Sequence, residues 1–425
     1  MYRRIKENTY LPIVFLGCLQ PFIQEELFSI LGITLLVAII FYNRLRFKLS
    51  NSLFEKGLFL LFALGAVIGL TNLLQSDRAY FRDFYYYLNP IIFILIGINI
   101  TKDNQKSYKR VLYSLVLASL IASIICTFQM FFSFSTGKGL AFREYFEYVM
   151  WGDAISIGIM LALWEEITTF LKRRKICFII LVLVILLGLS RTVWIETLIL
   201  VLSVLFVGQN KLKAIKRFAG IGIIFIVLLF VSFRFLSDVQ IHGIVDKLFN
   251  SLIEINYSND FSSASAVQSN WRGYEMSCAI SQFKDSPIAK MIIGGGFGTG
   301  IFVGSYARFV GQIGTEIFVI HNGFLCMLIK DGIIGLAIYI TIYIVQAIKC
   351  FKRSAETHLK TDGLVFGVII CLMIYTYLVK GIMADFVQYN ALILLGSWLY
   401  VNRYKGEKNR LIQTNNINIC ESKDR

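Results

Sequence analysis

The chain has 425 residues, of which 56% are hydrophobic and 16% charged, with 4 prolines and a mean hydropathy of +0.67. A soluble protein of this length needs more surface charge than that. Uncharged runs such as ICFIILVLVILLGL and LAIYITIYIVQAI recur along it, and in lipid each backbone polar group must be satisfied within its own segment. An all-α polytopic membrane protein is therefore expected.

The formal charge of +15 does not point to nucleic acid, because the basic residues are gathered in short clusters between apolar runs. These are RRIK at the N-terminus, then 44–48, 102–110, 172–175, 211–217, 349–353 and 403–410. That pattern marks cytoplasmic loops by the positive-inside rule. The eight cysteines are scattered and imply no disulfide framework. The first apolar run, LPIVFLGCLQPFI, lacks a small-residue cleavage site and is followed directly by a second, so no cleavable signal peptide is expected.

With the basic clusters as inner anchors, spans are expected at 10–23, 26–43, 54–74, 84–100, 108–133, 148–170, 176–190, 191–208, 218–236, 332–349, 363–382 and 386–401. This is a bundle of about twelve transmembrane helices with both termini inside. It divides into an N-terminal transmembrane bundle over 1–236, an extracytoplasmic loop over 237–331, C-terminal transmembrane helices over 332–401 and a cytoplasmic tail over 402–425. The loop has nearly balanced charge and reads as a small helical cap. At its end, FVIHNGFLCMLIK is expected to lie at or dip into the outer face. Lys330-Asp331-Gly332 then makes a turn before the next span. The run IIGGGFGTG at 292–300 matches neither G-x-G-x-x-G nor a P-loop and reads as a tight turn.

Three titratable residues stand out on the outer side. Arg191, in GLSRTVWIE, lies between apolar runs, where a charge at the bilayer centre costs roughly 2.5–3.5 kcal/mol; its plain reading is an arginine snorkelling to the headgroups. Arg272, in NWRGYE, is unremarkable by itself, and a lone histidine such as His321 is more often structural than catalytic. Taken together they suggest more. Two guanidinium groups grip a diphosphate through charge-assisted hydrogen bonds, and an ordinary imidazole accepts a proton near neutral pH. Asp153, Glu196, Glu316 and Asp331 are outer-side carboxylates that could assist as base or orienting group. No Asp-x-Asp, His-x-x-x-His or Cys-x-x-Cys spacing occurs, so no metal or other cofactor is expected.

The ordered set of SR at 190–191, WRGYEMSCAISQFKDSPIAKMIIGGGFGTG at 271–300 and HNGFLCMLIKDGIIGL at 321–336 resembles the bacterial O-antigen ligase and O-antigen polymerase (Wzy) superfamily. The likeness covers roughly residues 186–340 and departs from the family at KMII before Gly294, where the usual spacing is shorter. It implies a GT-C-like glycosyltransferase fold in the bacterial cytoplasmic (inner) membrane, with its active site on the periplasmic or extracellular side. The implied donor is an undecaprenyl-diphosphate-linked glycan, transferred without a metal to an acceptor glycan. Membrane lipid is a partner, a chain-length regulator is a further candidate partner, and nucleic acid is not expected. Carried over by position, Arg191 and Arg272 bind the diphosphate, Asn322 helps bind substrate, and His321 orients or deprotonates the acceptor hydroxyl. Polymerisation of lipid-linked repeat units is the leading expectation and the O-antigen ligase reaction the close alternative. A secondary transporter or flippase and a noncatalytic scaffold are more distant ones.

Overall fold

The computed structural model describes residues 10–23, 25–74, 76–102, 104–135, 146, 149–169, 171–188, 190–207, 261–311, 314–384 and 388–403. The expected span at 218–236, the first part of the outer loop and nearly all of the C-terminal tail lie outside the described residues. Each of the other expected spans falls on a helix. Asp77–Ile100, Gln105–Phe132, Gly323–Thr357 and Lys360–Leu378 are long and apolar enough to cross a membrane. Others are shorter, with 9 residues in Leu11–Leu19 and 14 in Arg174–Leu187, below the roughly 20 that a full crossing uses. The described crossing-length helices are thus fewer than the apolar runs suggested, because several runs end early in turns or 3₁₀ segments.

Small residues let these helices approach closely, as expected where lipid supplies no hydrophobic drive between them. A Cβ on Gly97 would stand 2.2 Å from the Ile393 carbonyl oxygen, and one on Gly396 would stand 2.2 Å from that of Ile94. Ser397 donates to the Gly97 carbonyl at 3.1 Å across the same seam between Asp77–Ile100 and the last helix, 389–403. The Arg191–Leu205 helix runs antiparallel to Lys360–Leu378. Gly363 faces Ser203 and Val207, Gly367 faces Leu200 and Ser203, and the Cys371 thiol donates to the Glu196 carbonyl at 3.5 Å.

The segment from 261 to the start of the Gly323–Thr357 helix forms a cap with a small apolar core, built from Ala279, Ile301, Val303, Ala307, Ile317, Ile320, Cys326 and Ile329. Its main helix, Trp271–Lys284, starts where the Asn270 side chain accepts from the Gly273 N–H. A shorter helix, Ile288–Ile293, contains the inserted KMII, and two-residue strands pair antiparallel with Ile301 opposite Ile317. Aromatic edges among Trp271, Tyr274, Tyr306 and Phe309 close the cap's upper side.

Cap and bundle meet at a kink. Within Gly323–Thr357 only Gly332 leaves helical geometry, at φ 66° and ψ −167°, a region open in practice to glycine alone. The expected turn at Lys330-Asp331-Gly332 is made at Gly332 alone, and Lys330 and Asp331 do not turn with it. Both belong to the helix and are 2% and 1% exposed, because partners from distant segments bury them. A Cβ at Gly332 would stand 2.4 Å from the Ile292 carbonyl oxygen. Gly332→Ala is therefore expected to cost about 1–3 kcal/mol in backbone strain alone and to lower the melting temperature in detergent. An unchanged melting temperature would mean that the kink is not held as described.

Candidate functional site

His321 ends the cap, one residue before Asn322 caps the Gly323–Thr357 helix by accepting from the Leu325 N–H at 3.1 Å. A single carboxylate oxygen, Glu275 Oε2, receives both the His321 backbone N–H at 3.0 Å and its Nδ1 at 2.9 Å. Glu275 is 2% exposed while His321 is partly open. An acceptor-only carboxylate at Nδ1 selects the tautomer with its proton there and leaves the Nε2 lone pair facing outward. The arrangement that results is an oriented imidazole base.

Arg272 lies three residues before Glu275, on the same face of the Trp271–Lys284 helix, and is half-buried. The cap thus presents a guanidinium one helical turn from the carboxylate that holds His321. Arg191 opens its own helix and is also half-buried. Continuing the antiparallel register from Gly363, Gly367 and Cys371 brings Arg191 level with about residues 376–380 of the neighbouring segment. The same stretch receives the start of the His321 helix, since a Cβ on Gly323 would meet Thr376 at 2.8 Å and the Lys380 carbonyl at 2.4 Å. Arg191 and His321 therefore stand at the same end of the bundle, level with the end of Lys360–Leu378. Asn322 is 3% exposed, and its side-chain oxygen serves the helix cap.

The carboxylates singled out from sequence stand elsewhere. Asp153 is fully buried and accepts from Ser123 at 2.7 and 2.8 Å. Glu196 is 3% exposed within the bundle, and Asp331 accepts from Tyr87 at 2.5 Å. Glu316 is exposed on a cap strand. Glu275, which orients His321, was not among them. Its spacing of three from Arg272 was visible, but the pairing with a histidine 46 positions away was not.

The glycine-rich loop is a latch. The N–H groups of Gly295, Gly296 and Phe297 are taken by protein, donating to Ile329, Lys330 and Gly65 at 3.0, 2.7 and 2.9 Å. Gly298 N–H donates to Asp83 at 2.8 Å. The other Asp83 oxygen meets Lys330 Nζ at 2.6 Å, both side chains being almost fully buried. Beside Glu275, the Cys278 thiol is held above its ordinary range, chiefly by burial, as is the Tyr274 hydroxyl. Both stay protonated at neutral pH. Among the described residues, no three His, Cys, Asp or Glu side chains gather as a metal-ligand set.

Residues 176–340 match the protein-family model described as O-antigen ligase (Wzy_C). The matched stretch contains Arg191, Arg272, Glu275 and His321 and ends just past the Gly332 kink. No curated protein matches the chain. The match agrees with the likeness of the ordered motifs to the O-antigen polymerase and ligase superfamily.

The ion pair beneath this site makes a sharp expectation. Removing one partner of a buried pair strands the other charge and costs about 3–5 kcal/mol. Asp83→Asn should therefore destabilise the protein strongly, and Asp83→Asn combined with Lys330→Met should recover much of the loss. Thermal unfolding of the two variants checks this; equal losses in both would contradict it.

Proposed function

We propose that this protein transfers a glycan from a polyprenyl-diphosphate-linked donor to an acceptor hydroxyl at the outer face of the membrane. The observation that carries the reading is the double hydrogen bond from His321 to Glu275 Oε2, within one helical turn of Arg272. In this mechanism the acceptor hydroxyl oxygen attacks the anomeric carbon of the donor while Nε2 of His321 takes the hydroxyl proton. The bond from that carbon to the diphosphate oxygen breaks, and the diphosphate leaves with the electron pair. Arg191 and Arg272 stabilise the charge that develops on it. Glu275 stabilises the imidazolium through Nδ1 and holds the ring in place. The arginines supply the leaving-group stabilisation a metal would otherwise give, so the proposed reaction is metal-independent.

The residues named so far serve two outcomes. Elongation of lipid-linked repeat units, for O-antigen, capsule or exopolysaccharide, is the reading we favour. Transfer of a finished glycan to lipid A-core is the second. Deletion in the native host, with glycans resolved on a gel, separates the two. One retained repeat unit without a ladder indicates a polymerase. Complete loss of glycan from lipid A-core, with lipid-linked chains accumulating, indicates a ligase.

Loss of general-base help typically costs about 10²–10⁴ in rate. His321→Ala and Glu275→Ala should each reduce transfer by that order in an assay with lipid-linked donor, at normal protein levels in the membrane. Full activity in Glu275→Ala would remove the basis of this mechanism.

A further inference from the structure

A cavity of about 860 Å³ opens between the Glu25–Tyr42 and Asp77–Ile100 helices. Arg78, Arg82, Asn89 and Ile92 line it from one face of Asp77–Ile100, at helical spacing, with Leu88 beside them and Ile33 opposite. Arg82 lies over the ring of Phe318, its guanidinium carbon 4.3 Å from the centroid. Phe318 lines the cavity and stands three residues before His321. Arg82 Nε and Nη2 are buried with no hydrogen-bond partner, and so are both amide atoms of Asn89, a residue only 1% exposed. Unpaired buried polar atoms of this kind each cost of order 1–3 kcal/mol, and so large a share of them around one cavity points to a missing polar ligand.

We propose that this cavity binds the polyprenyl diphosphate that carries the acceptor glycan, an inference that rests on the transfer reaction proposed above. Two arginines at the mouth match an anionic head, and the apolar wall beyond them matches an isoprenoid chain. Arg82 and Asn89 are seven residues apart, about 10 Å along the helix axis. Allowing for the reach of both side chains, a head of two linked phosphates bridges that gap better than a single phosphate. The volume suits a ligand of modest size, within the ~300–1,000 Å³ of ordinary ligand pockets, and not a lipid with many acyl chains. The cavity then reaches the transfer site through Phe318, three residues before His321. A substrate that is lipid-linked on both the donor and the acceptor side is what chain elongation requires. The sidedness used to single out Arg191 also applies to Arg78 and Arg82, which follow the expected span at 54–74.

The test is photo-crosslinking of the purified full chain in nanodiscs with a benzophenone-tagged polyprenyl diphosphate, followed by peptide mapping. Label is expected on peptides covering 25–42 and 77–92, falling at least tenfold in Arg82→Gln and in Arg78→Gln. Arg78 is exposed, so its variant tests the site even where Arg82→Gln fails to fold. The double variant Arg191→Ala with Arg272→Ala should keep this label, and excess phosphatidylglycerol or lipid A should not displace it. Label indifferent to Arg78→Gln, or displaced equally by phosphatidylglycerol, overturns the proposal. Displacement by lipid A alone also overturns it, assigning the cavity to a ligase acceptor. If His321→Ala keeps a normal glycan ladder while the label persists, the transfer mechanism fails and the cavity assignment stands.

Discussion

One carboxylate oxygen organises the candidate site of this protein. By accepting from both the backbone and the ring of His321, Glu275 Oε2 sets the position and the tautomer of the imidazole together. A ring held through a single bond could still pivot about it. Anchoring the backbone N–H as well ties the ring to the end of the cap just before the helix cap at Asn322. Burial of Glu275 strengthens both bonds, since a low local dielectric raises the worth of a satisfied charge-assisted hydrogen bond.

That anchorage has meaning only while the cap is fixed to the bundle, and the fixing is polar. Asp83 on one crossing helix takes Lys330 from another and Gly298 N–H from the glycine-rich loop. Next to it, Tyr87 donates to Asp331, and Phe297 from the loop packs at 4.7 Å against the Tyr87 ring. Intramembrane charges are costly and persist where they are paired or functional. Here the pairing joins three segments distant in sequence. The kink at Gly332 follows directly, because the helix must turn there to carry Lys330 and Asp331 into this network and then continue through the bundle.

The sequence revealed the helical character and the break near Gly332, since each depends on local composition. Length of crossing was less legible, because a run such as LPIVFLGCLQPFI is apolar throughout yet is helical over only nine residues before a 3₁₀ turn. The network around Lys330 was misread as a turn, because its partner lies 247 residues away and no local pattern announces it. Glu275 was passed over for the same reason. Its charge was visible, but its value comes from a long-range contact. The glycine run matches no nucleotide motif, and its Gly295, Gly296, Phe297 and Gly298 N–H groups are spent on contacts with the bundle that no local pattern announces.

The most direct test of the account is ¹⁵N NMR of histidine-labelled protein, with His242→Gln and His358→Gln leaving His321 as the sole signal. A proton on Nδ1 and a bare, pyridine-like Nε2 at neutral pH, with that balance shifted in Glu275→Gln, is the predicted result. A bare Nδ1, or a spectrum untouched by Glu275→Gln, would contradict the claim that Glu275 prepares His321 to take a proton.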